Sequence, residues 1–195
     1  RVGLCTSPHL VRINERFAIG GAAISDQLLG RRINEVLAAV GPDPQLTFFE
    51  LGTVVALWHF AQERIDVAVL EAGLGGRLDA VTCARPSVTA ITPISLDHQD
   101  HLGHSLQAIA FEKAGILKPG VPLVLARQAP EALEVFELAA RKVGAPLRLE
   151  GRDFQLEPEG DRSRFTFTYR GMRTKVPNLS PGQRGPHQAQ NAAVA

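Results

Sequence analysis

Cysteine is nearly missing from this chain: Cys5 and Cys83 are the only two in 195 residues. They form no CxxC pair and no framework spacing, so the plain inference is a reduced, cytoplasmic protein. A charge excess is missing too. The 21 Lys and Arg against 20 Asp and Glu leave a formal net charge of +1, and nothing in that balance argues for nucleic acid or an anionic membrane. No apolar run reaches the roughly 20 residues of a membrane-spanning helix, and no secretory signal is present. An initiator Met is also lacking. Arg1 starts in mid-pattern, which suggests a fragment. The length is that of a single domain able to bury a sizeable core.

What is present centres on Asp66 to Lys118. Asp66-Val-Ala-Val-Leu-Glu71 is a short β-branched run ending in a carboxylate, with Gly73, Gly75 and Gly76 close behind. It reads as a buried parallel strand with chemistry just past its carboxyl end. Val88 to Ile94 reads as a second such strand and runs into Ser95, Asp97 and His98. The two strands are expected to be neighbours that deliver Glu71 and His98 to one sheet edge. In the helix that follows, Leu106, Ile109, Ala110, Lys113, Ala114 and Leu117 recur at helical spacing, which sets Lys113 on the apolar stripe. Such a lysine either snorkels to the rim or loses its proton and reacts with CO2 to form a carbamate.

Several motifs in order carry a family resemblance: Ser7-Pro-His-Leu10, Glu71 to Ala80 (EAGLGGRLDA), Asp97-His98 with Leu102-Gly103, Glu112 to Ile116 (EKAGI), and His187-Gln188 with Asn191. Together they resemble folylpolyglutamate synthase and dihydrofolate synthase, of the Mur-ligase superfamily of ATP-dependent amide ligases. The resemblance covers nearly the whole chain except about residues 151–177. It implies an open, mostly parallel α/β sheet flanked by helices, related to P-loop NTPases. Residues 1–195 would then be an incomplete central ATP-binding domain, with 152–177 as a small antiparallel subsheet. The family's GxxGKGS phosphate loop, expected shortly before the SPHL motif, does not occur in this sequence. The family's second α/β domain would follow Asn191. The resemblance thus implies the middle of an enzyme, inactive by itself.

The resemblance also implies roles. Ser7, Glu71, His98 and Lys113 as its carbamate would hold two magnesium ions, with Glu71 reaching both; Lys113, Glu71 and His98 would form the catalytic set. Thr47, Phe49, Asp79 and Ala80 would line the pterin pocket, and Gln188 and Asn191 would meet the adenine of ATP. Each has a plainer alternative. Ser7 before Pro8 could be a turn residue, Thr47 with Glu50 fits a capping box, Asp79 could cap its own loop, and Gln188 and Asn191 could be a solvated helix start. The family commonly has Asp-Ala-Thr-Asn where this chain has Asp79-Ala-Val-Thr82. Asp100, His101 and His104 read as loop residues and not as zinc ligands, since no Cys or HExxH partner accompanies them.

Elsewhere the pattern is structural. Val11 to Ile19 alternates and predicts a half-exposed strand or ribbon leading to Gly20-Gly21. Ser25 caps a predicted amphipathic helix to Val40, stopped by Gly41-Pro42. A long helix is expected from Thr47 to about Gln62, with Trp58, His59 and Phe60 as core or helix surface. Lys118-Pro-Gly120 is expected to close the Lys113 helix. A strand at 121–126, a helix at 131–143 and a strand at 146–149 continue the alternation of an α/β sheet. Phe154 to Pro158, Arg164 to Tyr169 and Thr174 to Pro177 predict an antiparallel meander with turns at Gly160-Asp161 and Gly171.

The implied activity is addition of L-glutamate to folate or dihydropteroate. ATP would convert the substrate carboxylate to an acyl phosphate, and the glutamate amine would displace phosphate. The implied partners are ATP, folate or dihydropteroate, and L-glutamate, for a monomer when full length. Two competitors remain: a muramyl-peptide ligase, against which the Leu46–Glu50 and Gly75–Ala80 segments weigh, and a non-catalytic nucleotide-binding module.

Overall fold

The computed structural model describes residues 1–41, 45–159, 166–182 and 185–195. These form two compact units, Arg1–Ala84 and Arg85–Ala195, taken here in turn. Pro42, the Gly160-Asp161 turn and the Arg164-Phe165 start of a predicted strand lie outside the described residues.

In the first unit, β1 (Val2–Cys5) lies between β2 (Ala18–Ile19) and β4 (Val67–Leu70), with β3 (Ala22–Ala23) beyond β2. β1 runs parallel to β4 and antiparallel to β2. Gly20 and Gly21 join β2 to β3 at φ 61° and 84°, the left-handed pair a tight two-residue hairpin requires. Helix α1 (Asp26–Val40) starts at Ser25, whose hydroxyl accepts from Leu28 N. Helix α2 (Phe48–Gln62) opens with the expected capping box: Thr47 Oγ1 accepts from Glu50 N while Glu50 Oε2 accepts from Thr47 N. The inner sheet face packs on α2 closely enough that a Cβ on Gly3 would stand 2.9 Å from the Phe60 ring. Phe17, Ile24, Leu29, Val36, Val55, Ala56 and Phe60 close this core.

Two expectations fail here. Residues 11–19 are not one ribbon, because Ile13–Arg16 is a short 3-10 helix. The Glu15 carboxylate explains it: Leu10, Val11 and Arg12 all donate their N–H groups to it at 2.7–3.0 Å. Those bonds hold its pKa below the usual range, the Arg12 amide contributing most. They also curl a segment whose alternation alone would extend it. Second, β4 is parallel but not buried: Val67 and Val69 are 55% and 50% exposed. Among the described residues β4 pairs only with β1 and is an edge strand.

In the second unit, β5 (Thr89–Ile91), β6 (Leu123–Leu125) and β7 (Leu147–Leu149) form a parallel sheet in that order. The crossovers carry α3 (Gln99–Leu102), α4 (Leu106–Ala114) and α5 (Pro130–Val143). Parallel strands need such crossovers, and helices cover the apolar strands they connect. Leu123, Leu125, Ala110, Ala132 and Phe136 are almost wholly inaccessible and centre the core. Truncating Phe136 to Ala there would cost about 3–5 kcal/mol. Gly144, at φ 73°, ends α5 in the left-handed conformation that favours glycine.

β8 (Phe154–Glu159), β9 (Thr166–Gly171) and β10 (Lys175–Leu179) form the antiparallel meander expected near 152–177. Helix α6 (Pro186–Val194) sets Ala193 and Val194 with Phe154 and Ala126 in a small core. Helix α4 ends at Gly115, not at Lys118-Pro-Gly120. Ile116 N and Leu117 N bond back to Lys113 O and Ala114 O, so tighter turns finish the segment that periodicity alone would extend. Within its own unit β4 bonds to β1, and within its own β5 bonds to β6. At three residues, with Pro93 soon after, β5 offers only a short ladder, which β6 takes up.

Candidate active site

In the first unit Ser7 and Glu71 meet. β1 and β4 end side by side, with Cys5 opposite Leu70 and Glu71 N donating to Cys5 O at 2.9 Å. The segments that follow the two strands therefore leave the same sheet end, Ser7 two residues past Cys5 and Glu71 one past Leu70. Ser7 N donates to Glu71 Oε2 at 2.8 Å. The Ser7 hydroxyl is shielded from solvent yet has no hydrogen-bond partner among the described residues. A buried hydroxyl without a partner is costly and asks for an explanation. Here it stands beside a carboxylate whose Oε2 is already held, an arrangement of hard oxygen donors suited to Mg2+. Among the described residues no three His, Cys, Asp or Glu side chains gather as a metal cluster. Hydroxyl and carboxylate oxygens, completed by substrate phosphates, are the donor set that fits here.

The glycine loop after Glu71 is built around Asp79, which is buried. Its Oδ2 accepts from Gly73 N at 2.8 Å and Leu74 N at 3.0 Å, and its Oδ1 accepts from Val81 N at 3.0 Å. A carboxylate has about four acceptor sites, so this one is mostly committed to shaping its own loop. Ala80 opens the short 3-10 helix to Cys83. Thr82, one of the two departures from the family pattern, donates its hydroxyl to Asp79 O at 2.7 Å. Phe49, half-buried on the first turn of α2, lies against Gly73: a Cβ there would be 2.5 Å from its ring. Thr47 is exposed and engaged in the capping box.

Sequence reasoning passed over one neighbour of this loop set. Arg16 donates from Nε to His9 Nδ1 at 2.9 Å, and its guanidinium carbon sits 5.5 Å from the Phe48 ring centroid. It was concealed because a polar residue in an alternating segment reads as solvent-facing. Burial pushes the Cys5 thiol pKa up, while Arg16 lowers it and Glu71 and Asp79 raise it. All three charges therefore border the end of β1.

In the second unit His98 precedes α3 in the left-handed conformation, φ 50° and ψ 37°. Its own N–H donates to Asp97 Oδ1 at 2.8 Å, and its Nε2 lies 3.7 Å from Asp97 Oδ2. A non-glycine residue held there costs of order 1–3 kcal/mol, and such strain clusters at functional sites. Lys113 is half-buried on the last turn of α4, beside the buried Ile109, Ala110 and Ala114. Its amine has no hydrogen bond or ion pair among the described residues. Gln188 and Asn191 are half-buried one turn apart on α6, and Asn191 Nδ2 donates to Gln188 Oε1 at 3.4 Å. No helix among the described residues is long and apolar enough to cross a membrane.

Comparisons with known proteins bear on the family of the chain. The model of the Mur ligase middle domain matches residues 22–195. The folylpolyglutamate synthase of Lacticaseibacillus casei is 36% identical over all of this chain and 47% of its own length. The dihydrofolate synthase/folylpolyglutamate synthase of Bacillus subtilis is 34% identical over the same shares. A solved FPGS-AMPPCP-folate complex, 35% identical, superimposes over 99% of this chain and 49% of that one with a TM-score of 0.91. The chain thus spans about half the length of the curated relatives it matches. A family match over most of the chain, together with this agreement in backbone, leads to one conclusion: the chain belongs to the Mur ligase middle-domain family.

Proposed function

We propose that the protein containing this chain is an ATP-dependent ligase that joins L-glutamate to folate, to dihydropteroate, or to both, and that residues 1–195 are part of its central ATP-binding domain. The carrying observation is the buried, unpartnered Ser7 hydroxyl beside Glu71, in a chain similar to folylpolyglutamate synthases along its whole length. A relative solved with AMPPCP and folate supports the choice of substrates.

On this reading Ser7 Oγ and Glu71 are the magnesium-binding groups of the first unit, and His98 and a carbamate on Lys113 are those of the second; two ions are proposed. Bound magnesium would neutralise charge as the γ-phosphoryl group leaves ATP. The chain's own part is positional. The Ser7 amide fixes one Glu71 oxygen, Oε2, and the other would serve the metal. Lys113 is half-buried on the last turn of α4, and an amine is the group that takes up CO2 to form a carbamate. Phe49 on α2 and Ala80 beside the loop shaped by Asp79 form a wall for the pterin, where the one acceptor site left on Asp79 can meet an N–H donor. Thr47 stands at the rim of that wall. Gln188 and Asn191 offer amide donors and acceptors to adenine. Transfer of the γ-phosphoryl group to the acid's carboxylate yields an acyl phosphate and ADP. Attack by the glutamate amine then forms the amide and releases phosphate and a proton.

The test uses the full-length protein with ATP, Mg2+, L-glutamate and either folate or dihydropteroate, with products read by mass spectrometry. Glutamyl product with stoichiometric ADP is expected. Its absence with both acids removes the reading. Ser7→Ala keeps the amide that anchors Glu71, so its melting temperature should stay at the wild-type value. The magnesium concentration for half-maximal rate should rise about 10–100-fold, the range for a disturbed metal shell.

A further inference from the structure

Arg16 is gripped on two sides and open on the third. His9 takes its Nε–H, and the exposed Phe48 ring lies under the guanidinium within cation–π range. Its two terminal nitrogens meet no partner among the described residues, and the residue is half-buried. A guanidinium restrained in this way has lost its rotamer freedom before any ligand arrives, and it presents the planar edge that matches a carboxylate. Its surroundings narrow the ligand. Phe48, the ring beneath the guanidinium, is 63% exposed. An exposed aromatic face beside one cation suits an acid carried on an aromatic body better than a nucleotide phosphate.

We propose that Arg16 binds the carboxylate of the aromatic acid substrate, with Phe48 as the surface on which the adjoining ring rests and His9 as the residue that positions the guanidinium. This rests on the ligase reading and specifies its acid-binding end. Arg16 would hold the carboxylate until the phosphoryl group arrives; it transfers no proton, since a guanidinium stays protonated. The arrangement also supplies selectivity, because a neutral carboxamide of the same shape would forfeit the charge-assisted bonds.

The experiment measures binding by calorimetry, without turnover, of pteroate and of its carboxamide to the full-length protein and to Arg16→Gln and Arg16→Lys. Arg16→Gln should weaken pteroate about 10–100-fold, the usual worth of a hydrogen bond to a charged group, and leave the carboxamide and AMPPCP unchanged. Arg16→Lys should recover part of the loss. Equal weakening of acid and carboxamide, or no weakening of either, overturns the proposal. So does a loss confined to AMPPCP, which would make Arg16 a phosphate residue. A melting curve that matches the wild type shows that the variant is folded; if Arg16→Gln does not fold, Arg16→Lys against the two ligands decides by the same comparison. Wild-type protein that binds pteroate through Arg16 yet forms no glutamyl product would sink the ligase reading and leave this assignment standing.

Discussion

At the scale of single residues, the informative side chains are the ones whose surroundings do not suit them. The Ser7 hydroxyl is buried without a partner, and so is His59 Nδ1 on α2. The first lies at a sheet end beside a carboxylate and belongs to the proposed chemistry; the second lies inside the first unit and belongs to stability. Burial lowers the His59 pKa, with Arg32 and Arg1 acting in the same direction and Glu63 opposing. The folded state therefore binds a proton less readily than the unfolded chain. Stability is fully present above the unfolded value of about 6.5 and is lost as the pH falls through the lower folded value. Urea unfolding at pH 7.5 and 5.5 should show a loss in the wild type, and His59→Phe should flatten that difference. An equal loss in the variant would assign the acid sensitivity elsewhere. The sequence left His59 as core or helix surface; its burial and its missing partner depend on groups brought in from distant parts of the chain.

At the scale of elements, caps and short-range carboxylates outweigh periodicity. Thr47 and Glu50 satisfy one another's amides at the start of α2, and the hydroxyl of Thr47 chiefly holds the Glu50 carboxyl below its usual range. Thr47→Ala should lower stability by about 1 kcal/mol in chemical denaturation, and Thr47→Ser should restore most of it. No change in Thr47→Ala would mean that the packing of Phe49 and Val55 alone starts the helix. Both this helix and the one from Ser25 were readable because their caps lie within three residues of the amides they serve. The 3-10 helix at Ile13–Arg16 was not, since one carboxylate, Glu15, collects three preceding amides. The end of α4 at Gly115 escaped for a similar reason: Leu117 stays buried after the helix has stopped, so the apolar spacing outlasts the α-helix.

At the scale of the whole molecule, the first unit presents an apolar sheet surface to solvent. Val2 and Leu4 on β1 and Val67 and Val69 on β4 share one face and remain about half exposed. An exposed apolar edge strand invites pairing with another chain. The 195-residue chain should therefore self-associate as its concentration rises, and Val67→Lys with Val69→Lys should suppress this while leaving the melting temperature unchanged. Light scattering across a concentration series checks the expectation. A monodisperse monomer at every concentration would contradict it.

The sequence by itself determined the α/β alternation, the antiparallel meander, the caps, the stripe carrying Lys113 and the family, because these depend on spacing within a few residues or on motifs that stand in order. Tertiary structure alone decided which strand pairs with which, that Glu71 is held by the Ser7 amide across 64 positions, that Asp79 spends most of its acceptors on its own loop, and that Arg16 is clamped between His9 and Phe48. Each of these depends on where the folded chain places distant backbone amides and rings, and local patterning does not encode those distances.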